Sequence, residues 1–225
     1  LPQFKRILAS AEKHKLLVQM GYMFRYNPGF VKLKEFIKHG WLGDIFEVHA
    51  VMSKVVPPAE RRLLAEYPGG ILFELGCHVV DLVIGLLGKP KEVSGFNQHA
   101  SPLDDKLLDN MLAVFKYDKA IASVKSSAQE VDGFARRQLT VCGTEGTFHI
   151  QPLDAPRGRL ALSRGRDEYK AGYQDVPLPK YTRYVDDAAD MARVIRGEKE
   201  SEFPYDHDLA VQESLLRACH LPLDR

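Results

Sequence analysis

Cysteine is scarce in this chain: Cys77, Cys142 and Cys219 are far apart, odd in number and outside any C-x-x-C spacing. That pattern excludes a disulfide framework and a structural zinc site, and makes a reducing, cytoplasmic setting the expectation. Charge of one sign is missing too. A formal net charge of +1 supplies no field for nucleic acid or an anionic membrane, and the basic stretches at residues 60–62 and 135–137 are too short to change this. There is no charge-free apolar run of about 18 residues, and the N-terminal stretch lacks the layout of a signal peptide. The dinucleotide-binding turn G-x-G-x-x-G is also absent.

What is present describes a globular chain. With 225 residues, 45% of them hydrophobic and 27% charged, it can bury a sizeable core as one large domain or as one and a half small ones. The opening alternates a helical period (Phe4, Ile7, Leu8, Ala11) with a short apolar run, Leu16 to Met20, read as a buried strand. After Asn27-Pro28 comes a helix ending at Gly40, and then a strand over "IFEVHAVMS". A loop with one helical turn leads to an apolar helix. Five further strand-like stretches lie between residues 92 and 153, separated by turn signals such as "YDKA" and "GTEG". Two helices follow, the first closing at Gly197 and the second starting behind Asp206 as N-cap. The fold class predicted is α+β: an open, mainly antiparallel sheet of about five or six strands with flanking helices. Leu112, Val114, Val124 and Leu139 are assigned to its uncovered face, where a second copy could pack.

The apolar helix, "GGILFELGCHVVDLVIGLLG", carries the chemistry. At about 100° per residue, Glu74, His78 and Asp81 fall within about 60° of one another, while the leucines and valines take the opposite arc. A solvated helix face would look similar, but this one holds little besides the three ionisable groups and Gly85 and Gly88. An imidazole beside a carboxylate suits proton transfer near neutral pH. Tyr22 and Tyr26 read as core or hinge residues, and His49, His99 and His149 as packing residues in strands.

"GYMFRYNP", "GWLGDI", "GGILFELGCHVVDL", "CGTEGTFHI" and a late helix ending in "RG", in that order, resemble the glucose-fructose oxidoreductase / inositol dehydrogenase (Gfo/Idh/MocA) family. The resemblance covers nearly the whole chain. It implies a substrate domain, residues 28–225, behind the remnant of a dinucleotide-binding Rossmann domain, residues 1–27. The rest of that domain, about 100 to 130 residues by ordinary domain size, would precede Leu1. It also implies hydride transfer between NAD or NADP and a sugar, polyol or related cyclic alcohol. His78 and Glu74 are then catalytic, with Glu74 standing where the family pattern has aspartate. Arg25, Asn27 and Asp81 become substrate-binding candidates, and the open sheet makes a homo-oligomer. Cofactor-binding residues are not identifiable. Without the glycine turn and the family's upstream lysine, the chain alone is expected to be inactive.

Two other readings compete. One is a non-catalytic carbohydrate-binding or dimerisation domain, which the missing nucleotide turn suits equally well. The other takes Glu74, His78 and Asp81 as ligands of a metal, but one histidine and two acids make a poor zinc set, and no metal is assigned.

Overall fold

The computed structural model describes residues 1–224. Helix α1 (Pro2–Lys13) starts on a proline, whose missing N–H is no loss in a first turn, and buries Leu8 and Ala11. It packs on the last helix of the chain. The expected strand at Leu16–Met20 does not form: residues 16–22 have no regular structure, and Leu16 is exposed. A strand exists only as part of a ladder, and no described segment pairs with this one.

Helix α2 (Pro28–Lys38) is capped by Asn27, whose Oδ1 accepts from the N–H groups of Gly29 (2.8 Å) and Phe30 (3.3 Å). The chain continues through β1 (Ile45–Val51), α3 (Pro58–Ala65), a π-helical turn (Leu72–Gly76) and α4 (Cys77–Leu87). Then come β2 (Glu92–Gln98), β3 (Asn110–Lys116), β4 (Ile121–Ser127), the short α5 (Gly133–Arg136), β5 (Gln138–Gly143), β6 (Gly146–Ile150), β7 (Gly158–Leu162) and β8 (Gly172–Val176). Helices α6 (Val185–Ile195) and α7 (Tyr205–Ala218) close the fold. Helix α7 begins behind Pro204, so Asp206 lies inside its first turn and is not the cap.

The fold is α+β, as the pattern predicts, but the sheet is larger than expected. Eight strands run in the order β2-β3-β4-β1-β5-β6-β7-β8, antiparallel except for the parallel pair β1/β4. Strands β7 and β8 are short and begin on glycine, so their period-two signal is too brief to stand out from a loop. The parallel pair arises because α3, α4, β2 and β3 all intervene between its members.

Alternation sorts the two faces. Val48, Ala50, Ala113, Phe115, Ala122, Val124, Leu139, Val141, Phe148 and Ile150 are all buried in the core beneath the helices. The other face presents Ser94, Val114, Ser123, His49, Thr140, His149 and Arg159 in register across neighbouring strands, with Phe96 opposite Leu112 two residues along. Leu112 is paired with Lys125 and Val114 with Ser123. Val124 therefore has the parity of Ala113, and it and Leu139 belong to the core, not to the open face. Among the described residues no helix is long and apolar enough to cross a membrane.

Candidate active site

Two glycines deliver the chain into the helix. Gly69 (φ +105°) and Gly70 (φ +58°) adopt left-handed backbone. A Cβ on Gly70 would stand 2.5 Å from the Leu108 carbonyl oxygen, the atom that accepts the Ile71 N–H at 2.9 Å. The start of the π turn is thereby pinned to the 99–109 loop.

The π turn alters the phase of everything behind it, because each such turn takes up an extra residue. Glu74, His78 and Asp81 consequently do not act as one stripe. The Glu74 carboxylate is 37% exposed and lies 3.5 Å from Lys54 Nζ, which also pairs with Glu60 at 3.0 Å. Asp81 is buried and bound to Arg25. Between them, His78 packs its ring edge-on against Tyr22 and Phe24, with centroids 6.1 and 6.4 Å apart.

The electrostatics of His78 follow from that packing. Burial is the largest influence and lowers its pKa to about 4, with Arg137 and Arg183 adding to the effect and Asp81 opposing it. The imidazole is therefore neutral at pH 7. Its Nδ1 accepts a long hydrogen bond, 3.4 Å, from the backbone N–H of Met23. In that tautomer the ring hydrogen sits on Nε2, which has no hydrogen-bond partner among the described residues. Cys77, next in sequence, is unreactive: burial first, and then Glu74 and Asp81, push its thiol up to about 12.

Beneath His78 lies a buried charge cluster. Arg25 Nε donates to both Asp81 oxygens at 3.1 Å and Nη2 donates to Oδ1 at 2.7 Å. Nη2 also pairs with Asp208 of α7, and His207 Nε2 lies 2.8 Å from Asp81. Burial works against the Arg25 charge, yet its carboxylate partners hold its pKa above the ordinary value. Donor atoms of Asp81, His207 and Asp208 lie within 4.8 Å of one another, a spacing that could hold a cation, but the Arg25 guanidinium already supplies the positive charge there. Asn27 is likewise buried and occupied, with Nδ2 donating to the Leu153 carbonyl at 2.8 Å. Arg25, Asn27 and Asp81 thus lie below the surface and bind protein groups.

The structure brings to His78 residues that have no sequence signal. Tyr181 donates its hydroxyl to the Met23 carbonyl, and Arg183 Nη1 lies 3.4 Å from Met23 Sδ. Arg137 is buried, donating from Nε to the Ser53 carbonyl (3.1 Å) and from Nη1 to both oxygens of Asp154 (3.0 and 3.2 Å). The only local hint was the aromatic and basic density of "YTRY" ahead of α6.

This arrangement offers a neutral imidazole, a carboxylate and guanidinium groups around one partly exposed position. It contains no glycine turn to cradle a pyrophosphate. The residues present therefore do not fit the phosphates of a dinucleotide.

Comparison with known proteins gives the family. The profile of the GFO/IDH/MocA C-terminal domain matches residues 30–149. The scyllo-inositol 2-dehydrogenase (NAD(+)) of Bacillus subtilis (strain 168) is 28% identical over 168 residues, 70% of this chain and 47% of that protein. The trans-1,2-dihydrobenzene-1,2-diol dehydrogenase of Xenopus tropicalis is 23% identical over 152 residues, 66% of this chain and 44% of the relative. The chain thus spans a little under half the length of these relatives. A putative oxidoreductase from Thermotoga maritima superimposes with a TM-score of 0.77 at 20% identity, over 98% of this chain and 67% of that one, a likeness of fold. On the profile match, which takes in more than half of its length, the chain belongs to the GFO/IDH/MocA C-terminal domain family.

Proposed function

We propose that these residues form the substrate-binding and dimerising part of an NAD(P)-dependent oxidoreductase that moves hydride between a nicotinamide and a sugar, polyol or related cyclic alcohol. The observation that carries this reading is His78: a neutral imidazole, walled by aromatic rings, with Nε2 unpartnered among the described residues and the Glu74 carboxylate one turn earlier. Family membership supports it, as do relatives named for dehydrogenation with NAD(+) and with NADP(+). The domain division enters in the same way, with residues 1–27 as the end of a dinucleotide-binding unit and residues 28–225 as the substrate domain. The pyrophosphate site lies outside these residues, so the chain alone is inactive. Its three unpaired cysteines suit a reducing, cytoplasmic setting.

His78 meets the reacting oxygen. With its hydrogen on Nδ1 the ring takes the hydroxyl proton at Nε2 as the alcohol is oxidised. In the tautomer that the Met23 contact favours, it donates a hydrogen bond from Nε2 that polarises the corresponding carbonyl during reduction, and the alkoxide formed takes its proton from solvent. Glu74 accepts from a neighbouring substrate hydroxyl. Arg25, Asn27 and Asp81 serve the substrate as positioning residues, holding the 22–27 segment against α4.

The test is a pair of variants in the complete enzyme. His78→Ala removes either role, with an expected loss of 10² or more in kcat, the usual order for an acid–base group. His78→Asn keeps a donor but no proton acceptor, so partial recovery selects the donor role and none selects proton transfer. Wild-type kcat in both variants overturns the assignment.

A further inference from the structure

Arg183 is the cation near His78 whose protein partners satisfy it least. Its nearest carboxylate oxygen, on Asp154, is 3.7 Å away, beyond hydrogen-bond length. Asp154 is already held through both oxygens by Arg137, which cannot turn aside: it is buried, bonded to the Ser53 carbonyl and stacked on Phe134, with its guanidinium carbon 3.8 Å from the ring centroid. One carboxylate therefore faces two guanidinium groups. Its other hydrogen-bond contact among the described residues is a thioether, a weak acceptor. With 42% of its side chain exposed, Arg183 is open to solvent. The thioether belongs to Met23, whose backbone N–H reaches His78, so the guanidinium stands beside the proposed reacting centre.

We infer that Arg183 anchors a carboxylate on the substrate, which makes the substrate class an acidic sugar or polyol and not a neutral one. A planar guanidinium with free parallel N–H groups matches a carboxylate in two-point geometry, and such charge-assisted pairs are about twice as strong as neutral hydrogen bonds. Glu74 would repel an acid, so its carboxylate takes a hydroxyl and the acid goes to Arg183. The inference rests on the reading of His78 as the reacting centre.

The test uses the 225-residue chain with isotope-labelled histidine, and follows the His78 ring signals during titration with D-glucuronate and with D-glucose at constant ionic strength. Glucuronate is expected to shift His78 saturably, with affinity about tenfold above that for glucose, which is one charge-assisted contact's worth. Arg183→Gln should erase the preference, and Arg183→Lys should keep part of it, having charge without the fork. The exposure of Arg183 makes both variants compatible with folding, checked by unchanged signals of the remaining histidines. Equal affinity for the two sugars, or an undiminished preference in Arg183→Gln, overturns the inference while leaving His78 as a sugar site. Failure of both sugars to move His78 overturns both. If ADP binds more tightly than glucuronate with the same dependence on Arg183, the guanidinium belongs to a phosphate and the substrate assignment falls.

Discussion

Arg25 and Asp81 are locked face to face in the core, Nε to both carboxylate oxygens at 3.1 Å and Nη2 to Oδ1 at 2.7 Å, with neither side chain reaching solvent. The pair joins the segment ahead of α2 to α4, and Asp208 and His207 add α7 to the same knot. Charges buried this deeply hold only while matched. Asp81→Ala leaves Arg25 with Asp208 alone and should cost about 3–5 kcal/mol, the usual order for breaking a buried pair. Urea denaturation measures this, and a loss below about 1 kcal/mol would mean that the guanidinium finds water.

Two histidines govern stability in separate pH windows. His78 is held below its ordinary value, chiefly by burial, so the unfolded chain binds the extra proton first. The stability it contributes is complete above about 6.5 and is lost as pH falls toward about 4. Ring NMR should show a neutral imidazole with the hydrogen on Nε2 down to about pH 5. An inflection near 6.5 would contradict the burial argument.

His99 works the other way. Nδ1 meets the Leu107 carbonyl and Nε2 the Leu103 carbonyl, each at 2.8 Å, and both can be satisfied only by the imidazolium. The Leu107 carbonyl is the main cause of its raised pKa, with Leu103, Asp109 and Asp105 adding to it and burial opposing. Its stabilising effect is present below about 6.5 and disappears as pH rises through the higher folded value. This loop carries the Leu108 carbonyl that pins Ile71. Hydrogen exchange at Ile71 should accelerate above neutrality in the wild type and be independent of pH in His99→Ala, after correction for intrinsic exchange.

The open sheet face gives a prediction about assembly. Phe96 and Leu112 are cross-strand neighbours and both exposed, at 59% and 38%. If copies of the chain associate through this face, Leu112→Glu should shift the sedimentation of a dimer to that of a monomer while the thermal midpoint stays within a few degrees. A monomeric wild type removes this part of the proposed function.

Substituting Gly70 tests the entry to the helix. Gly70→Ala combines left-handed backbone with a Cβ 2.5 Å from the Leu108 carbonyl. It should destabilise by more than the ~1 kcal/mol typical of a glycine-to-alanine change at positive φ alone, as read from the denaturation midpoint.

Local pattern was enough for much of this. The amphipathic arc of α4, the Gly69-Gly70 pair ahead of it and the alternation of β1 to β6 all arise from residues within a few positions of one another, and their physics can be read along the chain. That local information by itself determined the α+β class and singled out His78 and Glu74. Tertiary structure alone decided the rest. Whether Asp81 faces a ligand or a guanidinium depends on Arg25 and Asp208, 56 and 127 residues away in sequence. Whether Val124 is core or surface depends on the register with β3, and the approach of Arg137, Asp154 and Arg183 to His78 depends on two loops and α6 coming to rest beside residues 22–24. Burial and ion pairing are properties of the assembled core: periodicity reveals which side of an element is polar, but not which distant charge will close over it.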